Sequence, residues 1–204
     1  MCQKSGRATS PWIEPVVLEN ETVRLVPLCM EHCEKLMEAA ADGRLWELWY
    51  TTVPRPEAMA AEIERRLDLR AHGSMLPFTA VDRASGRVVG QTTYMNIDAA
   101  NRRLEIGSTW YAAGAQRTAV NTACKLLLLT HAFEHLKCIA VEFRTSSKNE
   151  RSRRAIERLG ARLDGILRRH GFHTDGTVRD TVVYSIVASE WPQTRRLLER
   201  LQRR

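Results

Sequence analysis

The stretch "STWYAAGAQRTAVNTACKLLLL", residues 108–129, decides the fold of this chain. It begins like a β-strand and ends like an apolar helix, and the corner between them holds almost only small or polar residues. Residues 139–146 then alternate apolar and charged side chains, which is the period of a strand. We therefore predict a right-handed crossover in which a helix over 117–136 joins two parallel strands. The four consecutive leucines suit a helix that is buried against a sheet.

The remaining segments predict a mixed sheet whose strands are mostly antiparallel. Polar turns near Ser85-Gly86 and Asp175-Gly176 indicate hairpins, and Ser147 and Glu150 have the spacing of a helix capping box. The predicted fold class is α/β in the α+β sense: a twisted, mostly antiparallel sheet flanked by helices, with one parallel β-α-β crossover. The predicted strands lie within 22–28, 76–98, 104–111, 139–146 and 162–187, and the predicted helices within 30–43, 56–73, 117–136, 147–160 and the segment after Ser189.

The bulk composition describes a globular protein. The 204 residues suit one domain over 16–204 after a loosely ordered arm over 1–15. Hydrophobic residues make up 44% and charged residues 27%, and no apolar run approaches a membrane span. The N-terminal residues lack the apolar core of a secretory signal, and the five cysteines form no CxxC pair, so we expect a cytoplasmic protein with reduced thiols. No pattern reports the oligomeric state, and a homodimer is compatible with the sequence.

A formal net charge of +7 indicates either an anionic partner or a solvated basic surface. The arginine-rich runs at 151–158 and 195–204 lack interleaved aromatic residues, so we expect no nucleic-acid binding beyond weak electrostatic attraction. The segment "HAFEH", residues 131–135, matches a metalloprotease pattern but has no evident third ligand. We therefore expect no metal site.

The small-residue corner before the central helix has two interpretations. The first turn of a helix leaves N–H groups unpaired, and its dipole favours negative charge, so small residues there let a phosphate approach the backbone. Arg117, Lys125 and the hydroxyls of Thr118 and Thr122 would add charge and donors. A purely structural corner is an equally good interpretation, since neither GxGxxG nor a P-loop pattern is present.

The order of elements and two short motifs resemble the GCN5-related N-acetyltransferases (GNAT), in the branch of RimJ/RimL-type ribosomal-protein N-terminal acetyltransferases. The family's diphosphate loop reads [QR]-x-x-G-x-[GA] and corresponds to residues 116–121, with Ala119 and Asn121 replacing the usual glycine or alanine. A second element reads N-x-x-[AS] and, further on, G-[FA]. It corresponds to Asn149, Ser152, Gly160 and Ala161.

The resemblance covers residues 16–191 and implies transfer of an acetyl group from acetyl-CoA to a primary amine, of a protein N-terminus or of a small molecule. It also implies splayed central strands, 104–111 and 139–146, with the cofactor in the V-shaped gap between them. The residues then expected to contact acetyl-CoA are Thr109, Trp110, Tyr111, Gln116, Arg117, Thr118, Ala119, Val120, Asn121, Thr122, Lys125, Asn149, Ser152 and Arg153.

Acetylation of an amine needs a base, because the attacking amine must be neutral. Strand alternation places Glu105, Gly107, Thr109 and Tyr111 on one face, which makes Glu105 the preferred base, acting through water. The equally weighted alternative is an ion pair between Glu105 and an arginine at the start of the strand, Arg102 or Arg103.

The source of a proton for the CoA thiolate is less direct. Many GNAT enzymes carry a tyrosine seven residues after the helix asparagine, and this chain has Ile156 there. Ser152 and Tyr111 are the hydroxyls that could replace it, although Ser152 could equally serve the helix N-terminus. In the family, the segment holding Trp46, Trp49 and Tyr50 lines the acceptor cleft, and the alternative for this segment is core packing. A catalytically silent CoA-binding or protein-interaction module of the same fold is the alternative function.

Overall fold

The computed structural model describes residues 12–47, 49 and 52–203. Within these ranges the chain forms eight strands and five α-helices, joined by turns and short 3-10 segments. The strands are β1 (Leu18–Glu19), β2 (Val23–Pro27), β3 (Met75–Asp82), β4 (Val88–Asp98), β5 (Arg103–Tyr111), β6 (Ala140–Ser146), β7 (Arg162–Phe172) and β8 (Val178–Val187). The helices are α1 (Cys33–Ala41), α2 (Met59–Ala71), α3 (Val120–Thr130), α4 (Glu150–Arg158) and α5 (Trp191–Gln202).

These strands form one sheet in the order β1-β2-β3-β4-β5-β6-β8-β7. Each neighbouring pair is antiparallel except β5 and β6, which are parallel and are joined by α3. The predicted fold class is confirmed, and so is the prediction that a helix joins two parallel strands; the right hand of the crossover stays a prediction. The short edge strand β1 was not predicted, because two residues carry no alternation that a sequence pattern can reveal.

Apolar side chains fill both faces of the sheet. On one face α3 and α5 pack together, where Leu128 and Leu198 are fully buried. On the other face α1 and α2 enclose a second cluster that contains Met59, Ile63 and Trp110. Burial of these apolar surfaces stabilises the sheet and fixes the helices that carry the candidate site.

The central helix differs from its predicted span. Its α-helical part begins at Val120 and ends at Thr130, and a π-helix over His131–His135 follows. At this point the Tyr94 hydroxyl donates to the Leu128 carbonyl at 2.5 Å, so a side chain engages the hydrogen-bond ladder of the last turn. Such an insertion into the ladder changes the local helix geometry.

The cap of α4 also differs from the prediction. Asn149, which directly precedes the helix, accepts a hydrogen bond from the Ser152 N–H at 3.0 Å, and the predicted Ser147–Glu150 capping box is wrong. The helix begins at Glu150, so Asn149, the residue before it, is the cap.

The N-terminal segment contacts the core. Trp12 packs against it and donates from Nε1 to the Leu136 carbonyl at 3.1 Å. Residues 1–11 of the predicted arm lie outside the described ranges. Within the described ranges, no helix is long and apolar enough to cross a membrane.

Candidate active site

A gap opens between β5 and β6 where their pairing stops. The last paired position joins Glu105 to Glu142. β5 nevertheless continues to Tyr111 and β6 to Ser146, so beyond that position their facing edges are not joined to each other. Unpaired strand edges expose N–H and C=O groups that an extended ligand can bond. The predicted splay of the central strands is therefore present.

A β-bulge interrupts β5 beside this gap. In the pairing with β4, Ser108 and Thr109 together stand opposite the single residue Thr92, and Ser108 has a left-handed φ of +47°. One inserted residue bends the strand and reverses the alternation of side chains beyond it.

Because of this bulge, residues before and after Ser108 do not follow one continuous alternation along β5. Thr109 accepts a hydrogen bond from Lys125 of α3, and Tyr111 packs in the core that contains α3. Glu105 and Gly107, which precede the bulge, point to the opposite side of the sheet. The prediction that all four strand residues share one face is wrong, because it assumed an unbroken period of two.

The first turn of α3 presents unpaired backbone N–H groups. Within the described ranges, the N–H groups of Ala119, Asn121 and Thr122 donate to no protein acceptor, and no side chain caps the helix. The Val120 N–H differs, since it lies 3.3 Å from the Thr118 hydroxyl. Bare donors at the positive end of a helix dipole form a binding site for an anion.

The small residues that precede this turn fit against the end of α1. An ideal Cβ on Gly43 would lie only 2.7 Å from the Cβ of Ala113. The Asp42 carbonyl accepts from the Ala113 N–H at 3.2 Å, and the Asp42 carboxylate accepts from the Gly114 N–H at 2.9 Å. The corner at 112–115 is thus structural, whereas the donors available to an anion begin after it.

Three exposed arginines surround these donors. Arg117 stands in the loop itself with a left-handed φ of +60°. From α4, Arg151 donates to Gln116 Oε1 at 2.6 Å and Arg158 donates to Thr122 Oγ1 at 3.1 Å. Among the described residues, none of the three arginines forms an ion pair with a carboxylate. Arg151 and Arg158 were not predicted, because the run of arginines in α4 does not reveal which of them face α3.

Two other predicted residues of this loop, Gln116 and Thr118, use their side chains in hydrogen bonds to the loop's own backbone. Gln116 Nε2 donates to the Tyr111 carbonyl at 2.8 Å, and the Thr118 hydroxyl donates to a carbonyl of the preceding turn at 2.7 Å. Arg153 instead donates to the hydroxyl of Tyr184 on β8 at 3.1 Å. Cofactor contacts by these side chains stay predictions.

Two predicted residues point into the protein interior. Lys125 is 5% exposed, its Nζ donates to the hydroxyls of Thr92 (3.2 Å) and Thr109 (2.8 Å), and burial lowers its pKa to about 8. The Tyr111 hydroxyl is buried beside Cys124 and has no hydrogen-bond partner among the described residues, and burial raises its pKa well above the ordinary value. These positions do not suit a diphosphate contact by Lys125 or a proton-donor role for Tyr111.

Glu105 lies at the last paired position before the gap. It is 5% exposed, and its Oε2 accepts from Asn96 Nδ2 at 2.7 Å and lies 3.5 Å from Arg144 Nε. Burial raises the pKa of Glu105, while the Asn96 hydrogen bond and the Arg144 charge oppose this effect. The alternative ion pair with Arg102 or Arg103 is not formed in the described structure, where Arg103 pairs with a glutamate of β6.

The start of α4 leaves one hydroxyl available. The Ser152 N–H donates to Asn149, but the Ser152 hydroxyl has no hydrogen-bond partner in the described part of the chain. Ile156 is buried in the core and carries no exchangeable proton. Ser152 is therefore the predicted proton donor that the geometry still allows.

The aromatic segment between α1 and α2 meets the β7–β8 hairpin. Trp49, 41% exposed, contacts the ring of His173 edge-on with centroids 4.8 Å apart, and its carbonyl accepts from a hydroxyl of the hairpin turn at 2.8 Å. His173 lies 3.3 Å from the hydroxyl of Ser146, at the end of β6. Trp46 is half-buried, and Tyr50 lies outside the described residues. An acceptor-binding role for this segment stays a prediction.

The histidines of residues 131–135 take part in packing. The ring of His131 stacks near Tyr94, and Glu134 accepts hydrogen bonds from Trp191 and Arg195. In the ranges that the structure describes, no group of three or more His, Cys, Asp or Glu side chains could hold a metal ion.

The order of the described strands, their single parallel pair and the gap beyond it are those of the GNAT class. The family model described as "Acetyltransferase (GNAT) domain" matches residues 22–162. The chain therefore belongs to the GNAT acetyltransferases, a family that uses acetyl-CoA.

Individual relatives extend this assignment. The Bacillus subtilis protein named "Putative ribosomal N-acetyltransferase YdaF" is 35% identical over 106 residues, which are 52% of this chain and only 57% of that relative. The solved GCN5-related N-acetyltransferase from Brucella melitensis is 34% identical, with a TM-score of 0.80 over 93% of this chain and 86% of its own. Mycobacterium smegmatis RimJ, solved in complex with CoA-disulfide, shares the fold at 24% identity, with a TM-score of 0.76 over 93% of this chain and 94% of its own.

Proposed function

We propose that this chain transfers the acetyl group of acetyl-CoA to a primary amine, and that the amine is the N-terminal α-amino group of a ribosomal protein. One observation carries the proposal. The unpaired N–H groups of α3, the gap between β5 and β6 and the buried carboxylate of Glu105 belong to the same crossover unit. A small-molecule amine is the other acceptor class.

The residues around the start of α3 fit a diphosphate. Three backbone N–H groups without protein acceptors and the arginines Arg117, Arg151 and Arg158 can form charge-assisted hydrogen bonds with it. Ala119 and Asn121 depart from the family pattern in their side chains, but their N–H groups remain available. When bound, acetyl-CoA supplies an activated acetyl group, and the unpaired edges of β5 and β6 offer partners for its amide-containing arm.

Glu105 is the base of the proposed reaction. An α-amino group has a pKa of about 8 and is mostly protonated at pH 7, so it must lose a proton before it attacks. Asn96 and Arg144 both contact Oε2 of Glu105, whereas Oε1 has no protein donor in the described ranges. Oε1 is therefore the atom that accepts the proton, directly or through water. Activity should fall as the pH falls through the pKa of Glu105, because the protonated carboxyl cannot accept.

Ser152 supplies the second proton transfer. Its hydroxyl lies in the first turn of α4 and has no hydrogen-bond partner in residues 12–47, 49 and 52–203, and Ile156 cannot donate to the leaving thiolate. Proton donation by a hydroxyl is a modest contribution, so positioning of the reactants carries a larger part of the rate.

The acceptor class is supported by relatives. The name of the Bacillus subtilis relative refers to a ribosomal N-acetyltransferase, and RimJ shares the fold. The charges at the mouth of the gap do not select an acceptor, because Glu105 and Glu142 both lie against Arg144, and Glu142 also pairs with an arginine of β5. Trp49 and His173 could contact the first side chains of a peptide at the open end of β6.

The test is release of CoA thiol with three acceptor sets: peptides with the N-terminal sequences of ribosomal proteins, the same peptides with blocked N-termini, and small amines. We expect turnover with the free peptides and a mass gain of one acetyl group. Glu105→Gln should lower kcat/KM by about 10²- to 10⁴-fold without loss of CoA binding. Glu64→Gln, an exposed glutamate of α2, is the matched control and should not change the rate.

The alternative is a catalytically silent CoA-binding module, favoured by Ile156 at the position where the resemblance implies a tyrosine. Thermal stabilisation by acetyl-CoA without turnover of any amine would establish it. Failure to bind acetyl-CoA at all would refute both functions.

A further inference from the structure

A second β-bulge, in β4, directs a side chain at Glu105. Asn96 and Ile97 stand together opposite the single residue Leu104 of β5, and Asn96 has a left-handed φ of +49°. Asparagine tolerates this conformation better than most residues but is otherwise disfavoured inside strands. Bulges commonly re-aim a side chain next to an active site. Here the bulge brings the Asn96 carboxamide to Glu105, although Asn96 itself is exposed.

The contacts of Glu105 are divided between its two oxygens. Oε2 receives the Asn96 hydrogen bond at 2.7 Å and the approach of Arg144 at 3.5 Å. Oε1 lies over Gly107, where an ideal Cβ would meet it at 2.9 Å and would meet Met95 Sδ of β4 at 2.7 Å. The absence of a side chain at Gly107 thus leaves room for both Oε1 and the Met95 sulfur, on the strand that borders the gap.

We propose that Asn96 is a positioning residue, whose carboxamide holds Oε2 of Glu105 so that Oε1 faces the acceptor amine at the gap. The inference rests on the proposed function of Glu105 as the base. Asn96 touches neither cofactor nor acceptor in this scheme, and it acts only through the carboxylate.

The charges around Glu105 determine how its titration should respond. Arg144 and Glu142 face it from β6, and Arg179 faces it from β8. The two arginines favour the ionised carboxylate and Glu142 opposes it, while Asn96 is the uncharged donor among these neighbours. Removal of Asn96 should therefore raise the pKa of Glu105, because a donor to the ionised form is lost.

Asn96→Gly is the informative variant, because glycine keeps the left-handed backbone and removes the side chain that carries the carboxamide. We expect the acidic limb of the kcat/KM profile to move up by about one pH unit, with a roughly tenfold lower kcat/KM below the limb. The same shift should appear in a ¹³C NMR titration of the Glu105 carboxyl in protein without ligand, assigned by comparison with Glu105→Gln. Asn101→Gly, in the β4–β5 turn, is the matched control and should shift neither.

Asn96→Asp provides a second variant in case glycine loosens the strand. It keeps the size of the side chain but opposes Glu105 with a negative charge, and it should raise the pKa of Glu105 further. If Glu105→Gln is inactive while both Asn96 variants leave the NMR titration and the kinetic limb unchanged, the positioning role is refuted. If Glu105→Gln retains full activity, the proposed base itself is wrong, and the positioning role falls with it.

Discussion

Replacement of Ala119 by proline removes one unpaired N–H group at the start of α3 and leaves the backbone angle nearly unchanged. Ala119 has a φ of −67°, which a proline ring also imposes, and its N–H has no acceptor in the part of the chain that the structure describes. The folded protein should therefore lose little stability. A hydrogen bond to a charged group contributes about 1.5–3 kcal/mol, so loss of one diphosphate contact should weaken CoA binding by about 10- to 150-fold.

The assay compares two acetyl donors, acetyl-CoA and acetyl-pantetheine, which lacks the diphosphate. In Ala119→Pro, KM should rise for acetyl-CoA and stay unchanged for acetyl-pantetheine. Ala119→Gly keeps the N–H group and restores the residue that the family uses, so it should bind CoA at least as tightly as the parent. Equal losses with both donors, or unchanged CoA affinity in a folded proline variant, would refute the assignment of this turn to the diphosphate.

Three further substitutions test other parts of the site. In Gly107→Ala the new Cβ would lie 2.7 Å from Met95 Sδ and 2.9 Å from Glu105 Oε1, so kcat should fall more than about tenfold while calorimetric CoA affinity is retained; an unchanged kcat would contradict the placement of that oxygen. The double variant Arg151→Gln, Arg158→Gln should keep its Tm and bind CoA more weakly and with less dependence on salt. CoA titrations of the variant that match those of the parent at both low and high salt would count against this prediction. Burial lowers the pKa of Lys125 from 10.5 to about 8. Between pH 8 and pH 10.5 this lysine is therefore protonated in the unfolded chain and mostly neutral in the folded protein. The free energy of unfolding should rise with pH over this interval, by up to about 3 kcal/mol. Urea unfolding of the parent and of Lys125→Met at pH 8 and pH 10 measures this rise, which the variant should lack.

Sequence patterns were sufficient for the fold because they depend on periods that most elements obey. The crossover through α3 and the hairpins follow the predicted order. The splay beyond Glu105 was expected only from the resemblance to the GNAT family. The inserted residues at Ser108 and Asn96 could not be predicted, since both occupy left-handed positions that no glycine marks. Each bulge changes which side chains meet, and the contact between Asn96 and Glu105 depends on one of them.

The parts of the candidate site that consist of backbone groups were predicted from the sequence. The parts that depend on where a side chain points were missed. The bare N–H groups of α3 follow from the position of a helix start, whatever the side chains are. By contrast, Lys125 and Arg153 were expected at the cofactor, and they instead contact Thr109 and Tyr184. Which face of a helix an arginine or lysine occupies depends on the packed neighbours, and a single sequence does not contain them.

The contact between the end of α1 and the loop before α3 joins the two halves of the site. Asp42 holds the N–H groups of Ala113 and Gly114, and Gly43 approaches Ala113 so closely that no side chain fits between them. One side of this contact leads to Trp46, in the segment expected at the acceptor cleft, and the other leads to the loop expected to hold the diphosphate. If a ligand displaces either segment when it binds, this contact would pass the displacement to the other segment. Donor and acceptor affinities would then be thermodynamically linked, and by reciprocity each ligand would change the affinity of the other by the same factor.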